Sequence, residues 1–171
     1  HPDIQEKIFK EIDRVVGQGR DATLADRAEL VLVEAALYEV LRFSGAIPFA
    51  IPHATTCDTT LQGYDIPEGT VVMVNLYSIY TDQELWGDPH NFRPERFVTP
   101  EGDLDRALAE QVTAFSLGRR RCVGEFLART ELFMFFTTLL QRIRIYKPPG
   151  LPDYTLEGTF SLSHELLPFE V

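Results

Sequence analysis

The 171-residue chain holds only two cysteines, one tryptophan and two methionines. Cys57 and Cys122 cannot build a disulfide framework, so a reducing compartment is expected. Basic residues are scarce too, with 16 Lys and Arg against 26 Asp and Glu and a net charge of −10. That balance excludes nucleic acid as a general partner, because a phosphate backbone selects a basic surface. Long apolar runs are missing: the longest, Leu132 to Leu140, is too short to span a bilayer and contains Thr137 and Thr138. No further Cys or His stands at short zinc-ligand spacing from Cys122. Repeats and low-complexity tracts are absent. What remains is a composition 44% hydrophobic and 25% charged, suited to one folded domain rather than to disorder.

Local patterning organises the chain into helices around an extended middle. His1 to Val16 reads as an amphipathic helix, with Pro2 at its first position, Ile4, Ile8, Ile12 and Val15 at helical spacing, and Gly17 and Gly19 ending it. Asp26 and Glu29 have capping-box spacing and predict a second helix running to about Phe43, stopped by Gly45 and Pro48. Residues 46–74 read as extended, with turns at Gln62-Gly63 and Pro67-Glu68-Gly69. A short helix is expected over Ser78 to Trp86, then an irregular loop over 92–113. Val123 to Ile143 is apolar nearly all round and predicts a buried helix. Leu156 to Val171 predicts a terminal hairpin.

Three groups of residues carry chemistry. The first is Phe115-Ser116-Leu117-Gly118-Arg119-Arg120-Arg121-Cys122-Val123-Gly124. A thiol stands there in a glycine-bounded basic loop just before a helix, where amides and guanidinium groups favour a charged sulfur. A free cysteine is more often a small buried hydrophobe, and that reading stays open on these residues alone. Arg119, Arg120, Arg121 and Arg129 form a local basic patch in the acidic chain. The second group is Glu39 and Arg42, three apart on one helix face: an ordinary surface pair, or a buried one that needs further partners. The third is Phe92-Arg93-Pro94-Glu95-Arg96-Phe97: a proline-containing surface loop, or the source of Arg96 for a triad with Glu39 and Arg42. Cys57 lies among threonines and is assigned no role.

Taken in order, these residues resemble the C-terminal part of a cytochrome P450, a haem-thiolate monooxygenase. The family's haem loop has the form F-x-x-G-x-R-x-C-x-G, filled here by Phe115, Gly118, Arg120, Cys122 and Gly124. Its helix motif E-x-x-R is Glu39 and Arg42, and its Pro-Glu-Arg-Phe segment is Pro94 to Phe97. Leu41-Arg42-Phe43-Ser44, the Ile47 to His53 segment and the Asp82 to Pro89 segment are similar to the animal microsomal aryl-hydrocarbon hydroxylases, with steroid 17-hydroxylases the nearest competing branch.

The resemblance implies a mostly α fold with small β-sheets. Residues 1–171 would form the C-terminal part of a single domain: helices before and after an extended β region, a haem-ligand loop, a buried proximal helix and a terminal hairpin. It implies Cys122 as the iron ligand and catalytic thiolate, Arg120 and His53 as propionate partners, and Phe115, Gly118 and Gly124 as the loop around haem b (iron protoporphyrin IX). Glu39, Arg42 and Arg96 would be the structural triad. Ile47, Ala50, Ile51, Phe160 and Leu162 would line the substrate pocket. The expected reaction is hydroxylation of an apolar aromatic xenobiotic or steroid with O₂. Electrons would come from NADPH through a flavoprotein reductase docked on the arginine patch. The alternatives are a haem-thiolate isomerase or lyase, and a truncated, non-catalytic haem-binding fragment. The family's oxygen-activating helix and membrane anchor would lie upstream of His1. The chain is therefore expected to be a piece of a longer protein at the cytoplasmic face of the endoplasmic reticulum membrane, and inactive by itself.

Overall fold

The computed structural model describes residues 1–150, 158–160 and 163–167. The fold is mostly helical, with small antiparallel pairs of strands. Helix α1 (Pro2–Val15) follows its apolar spacing: Ile4, Ile8 and Ile12 are all buried on one face. Burying such side chains stabilises the fold by roughly 1.5–3 kcal/mol each.

The second helix begins later than its charge pattern predicts. Asp26 does not open it; the carboxylate instead closes a capping box with Thr23 over a short 3-10 turn, Leu24–Ala28. The Thr23 amide and hydroxyl donate to Asp26 at 2.8 and 2.9 Å, and Arg20 forks onto the same carboxylate at 2.6 and 2.8 Å. The Arg20 guanidinium, first among these partners, holds the Asp26 carboxyl below the usual carboxylate range. Helix α2 (Val31–Phe43) therefore starts beyond this turn and has no side-chain cap of its own. Its cap comes from α1. Glu11 accepts from the amides of Leu32 and Val33, both at 2.9 Å, so a neighbouring helix satisfies two orphan donors.

The extended region resolves into two small pairs. Strand β1 (His53–Ala54) pairs with β4 (Val71–Val72), and β2 (Thr59–Leu61) pairs with β3 (Tyr64–Ile66). The β2–β3 turn has two left-handed residues, Gln62 at φ 55° and Gly63 at φ 84°, as a two-residue hairpin loop requires. The single helix expected over Ser78 to Trp86 is split into α3 (Leu76–Tyr80) and α4 (Gln83–Trp86). Asp82 divides them because its side chain accepts from the amides of Glu84 and Leu85 and starts a new helix. The loop that follows contains a 3-10 turn, Pro94–Phe97, and helix α5 (Arg106–Ala109), capped by Asp105. After α6 (Glu125–Arg142), strands β5 (Gly158–Phe160) and β6 (His164–Leu166) form the described part of the terminal hairpin.

Helix α2 lies between two cores. On one side Val33, Ala36 and Leu37 pack with the α1 isoleucines and with Phe133 and Leu140 of α6. On the other, Ala35 joins Ala50, Leu76, Tyr80, Trp86, Phe97, Ala109 and Val112. Helix α6 is not buried all round, contrary to its composition. Phe133, Thr137, Leu140 and Gln141 face inward, while Phe126, Leu127, Phe135 and Leu139 are exposed and Val123 stands free just before them. Nothing among the described residues covers that second apolar face.

Candidate haem-ligand loop and its supporting triad

The scaffold of the site is a buried ion cluster on α2. Glu39 and Arg42, one helical turn apart, are both fully buried. Arg42 donates from Nε and Nη2 to the two Glu39 oxygens at 2.8 and 2.9 Å. Arg96, from the 3-10 turn, brings its Nε to 3.2 Å from the same carboxylate, and the Arg93 amide donates to it at 2.8 Å. The remaining donors go to main-chain carbonyls, except that Arg96 Nη1 also donates to the Asp88 carboxylate at 3.0 Å. Arg42 reaches Tyr80 and Pro89, and Arg96 reaches Trp86, Asp88 and Asn91. Two cations facing one carboxylate out of water are thus fully hydrogen-bonded, the condition under which buried charge is tolerated. The cluster ties α2 to α3, α4 and the Pro94 turn. Asp88 extends it: hydrogen bonds from Arg93 first, then the charge of Arg96, hold its carboxyl below the usual range.

The cysteine loop approaches the same helix α2 at Tyr38, through Arg129. The Cys122 amide donates to the Phe115 carbonyl at 2.8 Å, closing the segment between them. Ser116 at φ 64° and Gly118 at φ 71° both occupy the left-handed region to make that closure. Gly118–Arg120 forms one 3-10 turn, and α6 begins at Glu125 with Gly124 at its N-cap. Cys122 is exposed, so it is not the small buried hydrophobe that a lone cysteine usually is. A Cβ on Gly124 would stand 3.8 Å from the Cys122 sulfur, on a side that glycine leaves bare. Leu117, Val123, Phe126 and Leu127, all within five residues of the thiol in sequence, are exposed apolar side chains.

These features fit a flat, largely apolar group carrying its own metal. Among the described residues, no group of three or more His, Cys, Asp and Glu side chains could hold a metal ion, so Cys122 would be a lone protein ligand. A lone thiolate would suit an iron already held by a macrocycle. Arg119, Arg120 and Arg121 are exposed beside it and free to meet carboxylates. Arg129 does not belong to that patch, contrary to its place in the sequence. Its guanidinium pairs with Glu125 at 2.9 Å and lies 5.0 Å from each of the Tyr38 and Phe115 ring centroids. One helical turn from Glu125, it is drawn under the loop by charge and ring contact rather than out to solvent.

The other expected site residues are dispersed. His53 is exposed on β1, opposite Val72. No contact joins it to the cysteine loop among the described residues. Ile47 and Ile51 are exposed, whereas Ala50 is buried in the second core. Phe160 pairs with His164 through the β5–β6 backbone, and Leu162 lies outside the described residues. Sequence reasoning missed Glu11 and assigned Arg129 to the wrong group. Glu11 acts on amides about twenty positions away, which no local pattern encodes. The Glu125–Arg129 spacing of four was legible as a helical pair, but its aromatic partners were not.

A family model described as Cytochrome P450 matches residues 1–167. Cytochrome P450 1A1 of Cavia porcellus is 50% identical over 94% of this chain and 32% of its own length. Cytochrome P450 1A2 of Oryctolagus cuniculus is 48% identical over 89% of this chain and 30% of its own. Cytochrome P450 1A2 of Callithrix jacchus is 48% identical over 95% of this chain and 31% of its own. The chain therefore spans about a third of the length of the relatives it matches.

Proposed function

Because the chain belongs to the cytochrome P450 family, we propose that it is the C-terminal part of a haem-thiolate monooxygenase acting on apolar organic substrates. One observation carries this reading. Cys122 is exposed at the head of α6, in a loop closed by its own backbone and bordered by uncovered apolar side chains. When bound, haem b would supply dioxygen activation, with one oxygen atom entering the substrate and the other leaving as water.

The chain's own residues do the holding, tuning and excluding. Cys122 would ligate as thiolate, with the first amides of α6 opposing its negative charge. Arg120 and His53 would donate to the propionates. Phe115 would constrain the sulfur through its carbonyl and its ring, since contacts one shell out control ligand orientation. Gly118 and Gly124 would keep side-chain bulk away from the ring. Ile47, Ala50, Ile51, Phe160 and Leu162 would contribute to the substrate side. The triad of Glu39, Arg42 and Arg96 would hold α2 and the Pro94 turn in place behind the site.

Substrate class follows the resemblance of residues 41–44, 47–53 and 82–89 to the aryl-hydrocarbon hydroxylases, toward aromatic xenobiotics, with steroids as the neighbouring choice. Electrons would come from NADPH through a flavoprotein reductase. The exposed Arg119 to Arg121 cluster offers a cationic footprint for an acidic partner despite the net charge of −10. No helix among the described residues is long and apolar enough to cross a membrane. Attachment to the endoplasmic reticulum would therefore use a segment outside them. Cys122→Ser in the full-length protein tests the assignment. The expected result is loss of the thiolate-type Soret band in the reduced CO complex. Retention of that band together with wild-type turnover refutes it.

A further inference from the structure

We infer that Arg129 is a positioning residue for the Cys122 loop, a role that rests on the haem-thiolate reading above. Three contacts converge on its guanidinium. Cζ lies 5.0 Å from the Tyr38 ring centroid on α2 and 5.0 Å from the Phe115 ring centroid at the start of the loop. Nε donates to Glu125 at 2.9 Å in the first turn of α6. The side chain is only 19% exposed, so the charge is largely withdrawn from water. A cation in partial shelter between two rings is held more firmly than an exposed one.

The loop has little else behind it. A cleft of about 270 Å³ lies beneath, lined in part by Tyr38, Thr113, Ser116 and Arg121. The path from Phe115 to Cys122 runs through two left-handed residues, one of them Ser116, which lacks glycine's freedom at φ 64°. Such a path persists only where its surroundings over-determine it. The determinants on view are three backbone bonds, from the amides of Ser116 to Thr113 at 2.9 Å, Arg121 to Gly118 at 3.3 Å and Cys122 to Phe115 at 2.8 Å, and one side-chain contact, the Phe115 ring against Arg129. Arg129 thus links the helix that carries Glu39 and Arg42 to the loop that carries the thiol. Its effect on sulfur is exerted through Phe115, so it orients the ligand without touching the metal.

The test uses the full-length holoprotein and follows loss of the thiolate-type Soret band during mild heating, with far-UV circular dichroism recorded in parallel. Arg129→Met keeps the aliphatic stem and removes the cation. It is expected to lose the band about tenfold faster than wild type, at unchanged helix content. Glu125→Gln keeps the stack and a neutral acceptor but removes the charge from the tether, and about threefold is expected. Arg129→Lys should fall between Arg129→Met and wild type. Equal rates for wild type and Arg129→Met overturn the inference, as does band loss that merely tracks helix loss. Should Arg129→Met fail to fold, wild-type rates for both Arg129→Lys and Glu125→Gln overturn it. A wild-type protein without the band overturns the Cys122 reading itself, and this inference with it.

Discussion

Removing the charge of Glu39 should open the centre of the fold locally. The carboxylate accepts from Arg42 Nε at 2.8 Å, Arg42 Nη2 at 2.9 Å, Arg96 Nε at 3.2 Å and the Arg93 amide at 2.8 Å. All its neighbours are donors. In Glu39→Gln the new amide NH₂ must face one of them, and two guanidinium groups lose their shared counter-charge away from water. Breaking a buried pair from one side costs about 3–5 kcal/mol. In a hydrogen-exchange experiment on the full-length protein, that is about two to three and a half decades of lost protection in peptides covering residues 31–43 and 86–97. Lys7→Ala is the control: its 2.6 Å bond to Glu95 joins side chains 56% and 39% exposed, so no change is expected there.

A second variant sharpens the argument. Replacing the whole triad with Glu39→Leu, Arg42→Met and Arg96→Met removes the charge problem, and apolar replacement of a buried ion cluster can gain about 1–4 kcal/mol. Here the arginines also serve the carbonyls of Tyr80, Pro89, Trp86, Asp88 and Asn91. Losing those bonds at about 0.5–1.5 kcal/mol apiece offsets or exceeds the gain. The triple variant should therefore remain less protected than wild type. Wild-type protection in Glu39→Gln, or a triple variant above wild type, would sink the reasoning.

Two further perturbations probe features outside the triad. Burial raises the Glu11 carboxyl above its ordinary 4.5, against the lowering effect of the Leu32 and Val33 amides. The folded state then binds this proton more tightly than the unfolded one, so the stability linked to it is present at low pH and is lost as pH rises above that value. Relative to Glu11→Gln, wild type should lose stability as pH rises from about 4 toward neutrality; a denaturation difference independent of pH, or of opposite slope, contradicts this. At Gly63, φ is +84° with open space around the missing Cβ. Gly63→Ala should cost about 1–2 kcal/mol from backbone strain alone, whereas Gly19→Ala, in open space without a left-handed backbone, should be neutral or slightly stabilising. Equal melting shifts for the two would show that the turn conformation is not what matters.

The linear chain by itself determined whatever depends on neighbours a few positions apart. The apolar period put Ile4, Ile8 and Ile12 inside, Gln62-Gly63 made a hairpin, and the spacing of Phe115, Gly118, Arg120, Cys122 and Gly124 identified the family. Tertiary structure decided whatever depends on competition between distant partners. Asp26 was claimed by Arg20 and Thr23, so α2 began later and took its cap from Glu11 on another helix. Arg129 left the basic patch because two rings and Glu125 outcompeted water for its charge. Helix α6, apolar on both sides, could not reveal which side its neighbours would cover, because composition fixes how much surface seeks burial but only packing assigns a partner to each face.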